Sequence, residues 1–506
     1  MPSLKLALIH SAVDHKQPEA NRENLLTLFR QAGENGAQLV MGPELSISGY
    51  SFSSYRDMAP YAETSDGPTL TVLADLCRAY GLYACIGLAE QDASTGILYN
   101  SAFVLGPTGK IVCRYRKINA EYRWACPGNP REDNTFDTPW GRIGVLICSD
   151  SYHSLMPRVT ALRGASLLLV LANWPPTGLD PLEIWRARAL ENGMIVAACN
   201  RTGLDLVMDC RRAPSAIFDT RGMMVLNKWS RRTRLLQASV PLNENGRLRS
   251  GQRLRRMASR RFDDMHACYL NLTGLADLTT FLQLPQPGSL HICCHCANTL
   301  TGTGMEALLA ATRDKYDSPN VLHILPARKY RDSDLFDVQQ YCAATGQKVI
   351  FCRNSDFDSA LWWFDGETPP QSMPWNILHG VGSTSFPSFD CGSARLHIVP
   401  FKALYHPEMV LASAKQGCDL VIIFSDSFTE SVRLLGGART LDNVATTICS
   451  PKGGGIWMTP EGHQRWEEHL AGPGKICRYL LDTNRTRKKR FQDRIDFDTL
   501  LHRAVG

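Results

Sequence analysis

One cysteine of this chain stands where a nucleophile would be useful. The run Gly141-Arg-Ile-Gly-Val-Leu-Ile-Cys148-Ser-Asp150 is apolar up to the thiol and polar immediately after it, as expected of a strand that ends in a turn and presents sulfur at the sheet's end. Free cysteine is usually a small buried hydrophobe, so the weight lies in its company. Glu44 follows the apolar segment 38–41 and precedes Leu45-Ser-Ile-Ser-Gly49-Tyr50, which is rich in turn formers. Lys117 and Glu121 lie in Arg114-Tyr-Arg-Lys117-Ile-Asn-Ala-Glu121, after a strand at 101–105 and the turn Gly106-Pro-Thr-Gly-Lys110. Acid, amine and thiol thus all fall where strands give way to loops, the ends at which layered α/β folds gather catalytic groups.

The elements that must position them alternate. Apolar strands are expected at 4–9, 38–41, 82–87, 101–105, 141–147, 166–171 and 194–198. Helix-period segments are expected at 21–29, 70–80, 155–163 and 182–192. This is an α/β domain.

The segments GPELSISGY, RYRKINAEYRWACPG, GRIGVLICSD, ALRGASLLLVLANW and WRARALENGMIVAACNRTG, in this order, resemble the nitrilase, or carbon-nitrogen hydrolase, superfamily across roughly the first 270 residues. The resemblance implies a four-layer α-β-β-α sandwich. It also implies Glu44 as general base, Lys117 as oxyanion stabiliser, Cys148 as nucleophile and Glu121, which precedes Pro127-Gly128, as the second glutamate of the family's pattern.

Elementary chemistry agrees with these roles. A thiol of pKa about 8.5 is mostly protonated at neutral pH and needs a base. Attack on an amide carbonyl creates an oxyanion that a fixed ammonium stabilises, and the protonated base then serves the leaving amine and afterwards activates water.

The stretch 285–288 reads as a linker between a catalytic domain, 1–284, and a weaker second copy of it, 289–506. Ser289 to Cys296 opens like Ser3 to His10, and Asn320 to Ala327 parallels Gln38 to Glu44. Ala394 to Phe401 parallels Gly141 to Cys148, and 414–424 follows 161–170. In this register Ala327 holds the base position and Phe401 the nucleophile position, so the second copy is expected to keep the scaffold without the chemistry. It is expected to act as an internal pseudo-partner for the first, with further homo-oligomerisation open.

Composition sets the rest. At 506 residues and 44% hydrophobic content the chain has material for two large domains. It shows neither a signal-peptide pattern at its start nor an apolar run near the ~20 residues that span a bilayer, so a cytoplasmic protein without membrane partner is expected. Seventeen scattered cysteines read as reduced thiols, and a net charge of +6 points to no nucleic-acid partner. No cofactor is expected. The one CxxC, Cys293 to Cys296, reads as core packing rather than a metal site, because strand alternation separates its two thiols and no second such pair accompanies it. The basic runs from Arg247 to Arg261 and Arg485 to Arg490 read as solvated or ion-paired faces. His153 reads as a pocket-edge or structural residue, since Glu44 already supplies a base.

The substrate is the least constrained part. Ser149-Asp150 after the thiol looks more like the amidase and carbamoylase branches than the nitrilase branch, and Asn173-Trp174 resembles ω-amidase-like members. Tyr50, Trp124, Asn173 and Trp174 are candidate pocket walls, with core packing the alternative for each aromatic ring. A small carboxamide or N-carbamoyl compound is expected as substrate, releasing ammonia. Nitrile hydrolysis and a non-enzymatic scaffold role are the alternatives.

Overall fold

The computed structural model describes residues 2–249, 254, 284–296, 318–354, 359–375, 386–459 and 464–488. The chain divides into two compact units, one within 1–259 and the other within 260–491.

The first unit is built on two six-stranded sheets, each flanked by helices. Strands β1 (Ser3–His10), β2 (Leu39–Met41), β3 (Tyr83–Gln91), β4 (Leu98–Leu105), β5 (Ile111–Arg116) and β12 (Arg234–Pro241) form the first sheet, in the order β12-β1-β2-β3-β4-β5. Strands β6 (Thr135–Thr138), β7 (Gly141–Ile147), β8 (Leu167–Ala172), β9 (Ile195–Asn200), β10 (Ser215–Phe218) and β11 (Met224–Lys228) form the second, in the order β11-β10-β9-β8-β7-β6. The central pairs β1–β2, β2–β3, β7–β8 and β8–β9 are parallel, and the outer pairs are antiparallel.

Sequence periodicity explains which face each helix buries. Helix α1 (Pro18–Glu34) starts with proline in its first turn, where a missing N–H costs nothing, and buries Leu25, Leu26, Phe29 and Ala32. These pack with Leu70, Leu73 and Cys77 of α3 (Pro68–Tyr80) on Ala7, Val40 and Ile86 of the first sheet. A short helix, α2 (Tyr55–Met58), lies between them in sequence. Helices α4 (Leu155–Leu162) and α5 (Pro181–Asn192) pack against β7 and β9 of the second sheet. The two sheets meet through β1 with β9 and β4 with β7, completing the four-layer α-β-β-α order. Most expected elements lie within a few residues of their observed bounds. The largest difference is α1, whose polar first and last turns extend beyond the apolar segment 21–29.

The second unit repeats the plan strand for strand. Its sheets run β17-β16-β15-β14-β13-β24 and β18-β19-β20-β21-β22-β23. The strands are β13 (Ser289–His295), β14 (Val321–Ile324), β15 (Lys348–Asn354), β16 (Ser359–Phe364), β17 (Gln371–Pro374), β18 (Ser388–Cys391), β19 (Ala394–Val399), β20 (Leu420–Phe424), β21 (Ala445–Ser450), β22 (Gly453–Met458), β23 (Glu467–Ala471) and β24 (Ile476–Asp482). Even single contacts recur. Cys199 Sγ in β9 meets the carbonyls of Ile9 and Met41 at 3.4 and 3.5 Å, and Cys449 Sγ in β21 meets those of His295 and Ile324 at 3.3 and 3.6 Å.

The described cysteines are all free thiols. Cys294 and Cys296 pack in the apolar core between the two sheets of the second unit, and Cys293 is buried as well. Among the described residues no helix is long and apolar enough to cross a membrane.

Candidate active site

Glu44, Lys117, Glu121 and Cys148 converge at the ends of β2, β5 and β7, so the site draws on both sheets of the first unit. The Lys117 ammonium lies 2.8 Å from Glu44 Oε1 and 2.5 Å from Glu121 Oε1. All three charged groups are buried, so their attraction is weakly screened and none has water as its main partner.

Each side chain is aimed by local structure. Glu44 sits in a turn packed on β3, where a Cβ on Gly87 would lie 2.8 Å from both Glu44 Cα and Pro43 O; only glycine admits that approach. Leu45, next to Glu44, and Cys148 both have positive φ, +45° and +44°, a left-handed conformation that costs a non-glycine residue on the order of 1 kcal/mol. The Cys148 turn is held in that state from several sides. Ser151 Oγ donates to Cys148 O at 2.7 Å, and the buried Arg188 of α5 donates to Ser151 O and Tyr152 O while pairing with Glu191. Asp150 ties this turn to the loop after Lys117, accepting from Ile118 N, Asn119 N and Asn119 Nδ2 at 2.8–3.0 Å, and to β5, accepting from Tyr115 Oη at 2.5 Å.

Asn100, in the interior of β4, was not among the residues singled out from sequence. Its Nδ2 donates to Glu44 Oε1 at 2.8 Å and to Glu121 Oε2 at 2.9 Å, and its backbone carbonyl accepts from Lys117 N at 2.8 Å. The only local signal was a polar side chain within the apolar strand LYNSAFVL, a pattern common to many half-buried strands.

The two glutamates are driven apart electrostatically. Burial raises Glu44 above the ordinary carboxylate range, with Lys117 opposing and Glu121 adding to the rise. Burial, the largest influence, works in the same direction on Glu121, but the Lys117 charge together with hydrogen bonds from Lys117, Asn100 and the backbone outweighs it, and Glu121 ends below its ordinary value. Burial disfavours the Lys117 ammonium, yet Glu121 and Glu44 together hold its pKa well above the usual value. Burial pushes the Cys148 thiol up, and the Glu44 charge pushes it further. The resting arrangement is therefore a thiol beside an ammonium bracketed by two carboxylates, of which Glu44 is the one suited to exchange a proton.

The proposed wall residues divide. Tyr50 Oη donates to Glu121 Oε1 at 3.2 Å and its backbone N–H to Asp205, which places it at the site. The Asn173 backbone N–H donates to Glu44 Oε2 at 2.9 Å, while its buried side-chain amide has no protein partner. Trp174 is half-buried, its ring near those of Tyr152 and Trp185. Trp124 is buried with Leu45, Phe52, Met58 and Leu98, the packing role, although its backbone N–H bonds Glu121 O. His153 lies beside Tyr152, and burial lowers its pKa to about 4, so it is neutral at pH 7. Arg247 and Arg249 are exposed, and the rest of that run lies outside the described residues. In the second run Arg485 pairs with Glu467 and Arg487 clamps the buried Asp419. Among the described residues no group of His, Cys, Asp and Glu is arranged to hold a metal ion.

Backbone register locates the same positions in the second unit. Gly42 N bonds Cys85 O as Leu325 N bonds Ile350 O, which sets Ala327 opposite Glu44. Lys117 N bonds Asn100 O as Trp375 N bonds Ser359 O, each at 2.8 Å, which sets Trp375 opposite Lys117. Phe401 opens the turn after β19 as Cys148 opens the turn after β7. Ala327 and Trp375 belong to one apolar core, so base, amine and thiol are all replaced.

The family model for carbon-nitrogen hydrolases matches residues 5–250. A nitrilase of Pyrococcus abyssi is 34% identical over 204 residues, spanning 40% of this chain and 76% of that protein. The omega-amidase NIT2 of Mus musculus is 29% identical over 264 residues, spanning 49% of this chain and 92% of that protein. The crystal structure of Saccharomyces cerevisiae Nit3, a member of branch 10 of the nitrilase superfamily, superposes with a TM-score of 0.44 at 21% identity, covering 51% of this chain and 94% of that one. The chain belongs to the carbon-nitrogen hydrolase family, its matched residues being those that carry the Glu44, Lys117 and Cys148 cluster.

Proposed function

We propose that this chain hydrolyses a small linear carboxamide or N-carbamoyl compound to an acid and ammonia through a thioester on Cys148. The observation that carries the reading is the placement of one buried ammonium, Lys117, between two carboxylates of opposite pKa tendency beside that thiol. Glu44 accepts the Cys148 proton as sulfur bonds to the carbonyl carbon, and the carbonyl electron pair moves onto oxygen. Lys117 stabilises that oxyanion, an effect worth on the order of 3 kcal/mol per donor. The tetrahedral species collapses, the C–N bond breaks, and Glu44 returns its proton to the departing nitrogen. Glu44 then takes a proton from water as hydroxide adds to the thioester; collapse expels the thiolate, which regains the proton, and releases the acid.

Glu121 remains ionised throughout and anchors Lys117. Tyr50, Asn173 and Trp174 face the substrate. The Ser149-Asp150 pair after the thiol favours a carboxamide over a nitrile, as does the omega-amidase name of the mouse relative, while the nitrilase name of the Pyrococcus relative makes nitrile hydrolysis the second reading. Ammonia release from a panel of carboxamides, carbamoyl compounds and nitriles tests the reading: turnover of amides that disappears in Cys148→Ala supports it, and full activity in that variant refutes it.

A further inference from the structure

The side chain of Asn100 closes a ring of hydrogen bonds that runs from Lys117 to Glu44, to Asn100, to Glu121 and back to Lys117. Both amide hydrogens of Nδ2 are committed to carboxylates, and the Oδ1 atom, buried, has no protein partner. A residue chosen for packing would not commit both donors to the two acids of one site and leave its acceptor unfilled.

The internal repeat supplies an independent comparison. Scaffold contacts survive in the second unit, as Cys199 and Cys449 show. The position opposite Asn100 is Ser359, fixed by the matching bonds Lys117 N to Asn100 O and Trp375 N to Ser359 O. Thus the amide is lost in the unit where Glu44 is matched by Ala327, Lys117 by Trp375 and Cys148 by Phe401. Asn100 goes with the chemistry and not with the scaffold.

We propose that Asn100 is a positioning residue of the reaction, holding the Glu44 and Glu121 carboxylates on Lys117 and keeping Glu44 an anion ready to accept the Cys148 proton. The proposal rests on the thioester reading above. A single ammonium cannot fully neutralise two buried carboxylates, and the amide adds one donor to each, beside the Asn173 N–H on Glu44 and the Tyr50 hydroxyl on Glu121, that favours the charged forms. The groups facing Glu44 are Lys117 from the end of β5, Glu121 from the following loop, Tyr50 from its own loop, Cys148 after β7, the Asn173 N–H after β8, and Cys210 at longer range. Of these only Lys117 is a cation, so loss of the Asn100 donors is not made good by a neighbour.

The test is the pH profile of kcat/KM for the full chain and for Asn100→Ser, which installs the second unit's residue, and Asn100→Asp, which is nearly isosteric and adds a charge. The acid limb reports the free enzyme's base. In Asn100→Ser it moves up by about one pH unit, a roughly tenfold loss on that limb with recovery toward the original rate at higher pH. In Asn100→Asp it moves further in the same direction. A uniform fall at every pH with an unmoved limb in the variant that folds, or no change in either, overturns the proposal while leaving the thioester reading intact. Retained activity in Cys148→Ala would instead remove the reading beneath it.

Discussion

The backbone N–H of Asn173 donates to Glu44 Oε2 at 2.9 Å, joining residues 129 positions apart in sequence. Glu44 follows a strand of the first sheet and Asn173 a strand of the second, so this one bond fixes the base against the sheet that carries the thiol. The site is a seam between layers, and its geometry depends on how the two sheets pack.

Lys117 should be costly to remove. Lys117→Met leaves two buried carboxylates facing each other, and loss of one partner from a buried ion pair destabilises by about 3–5 kcal/mol. Urea unfolding should show this loss at neutral pH, together with loss of amide turnover.

The glycine on which Glu44 rests offers a geometric test. Gly87→Ala drives a methyl group to 2.8 Å from Glu44 Cα and should cost on the order of 10²-fold in kcat/KM while the sheet still forms. Gly96→Ala, with positive φ but no heavy atom within 4 Å of its Cβ, should cost about 1 kcal/mol of stability and leave kcat/KM unchanged.

His153 should make the fold acid-sensitive. Its folded pKa, lowered by burial to about 4, lies below that of the unfolded chain, so unfolding takes up a proton between those values and stability falls as pH drops from about 6.5 toward 4. His153→Gln should lose less stability than the original protein between pH 7 and pH 5, by about 1–2 kcal/mol in denaturant titrations.

Glu44 and Cys148 were legible in the sequence because each follows a sharply apolar run whose end is visible in one dimension, whereas Lys117, which follows the charged Arg114-Tyr-Arg116, was legible only through the order of the family-like segments around it. Phe401 and Ala327 were legible for the same reason as Glu44 and Cys148. Asn100 was not, since it lies within a strand and its role comes from partners 56 and 21 residues away. Asp150 was read only as a mark of branch, yet it clamps the loop after Lys117 to the Cys148 turn through three donors and holds Tyr115 of β5 through a fourth. Trp375 escaped because its match to Lys117 is carried by backbone register and not by residue type. Trp124 shows the converse: its place in the Lys117 segment suggested a pocket wall, while its ring is packed among Leu45, Phe52 and Met58.

The most direct measurement is the mass of the full chain after reaction with an electrophilic amide analogue, with peptide mapping of the adduct. Nucleophilic attack by Cys148 predicts one adduct per chain, located on Cys148 and absent in Cys148→Ala. An unmodified Cys148 in a chain that turns over amides, or an equal adduct at another residue in Cys148→Ala with turnover retained, would contradict it.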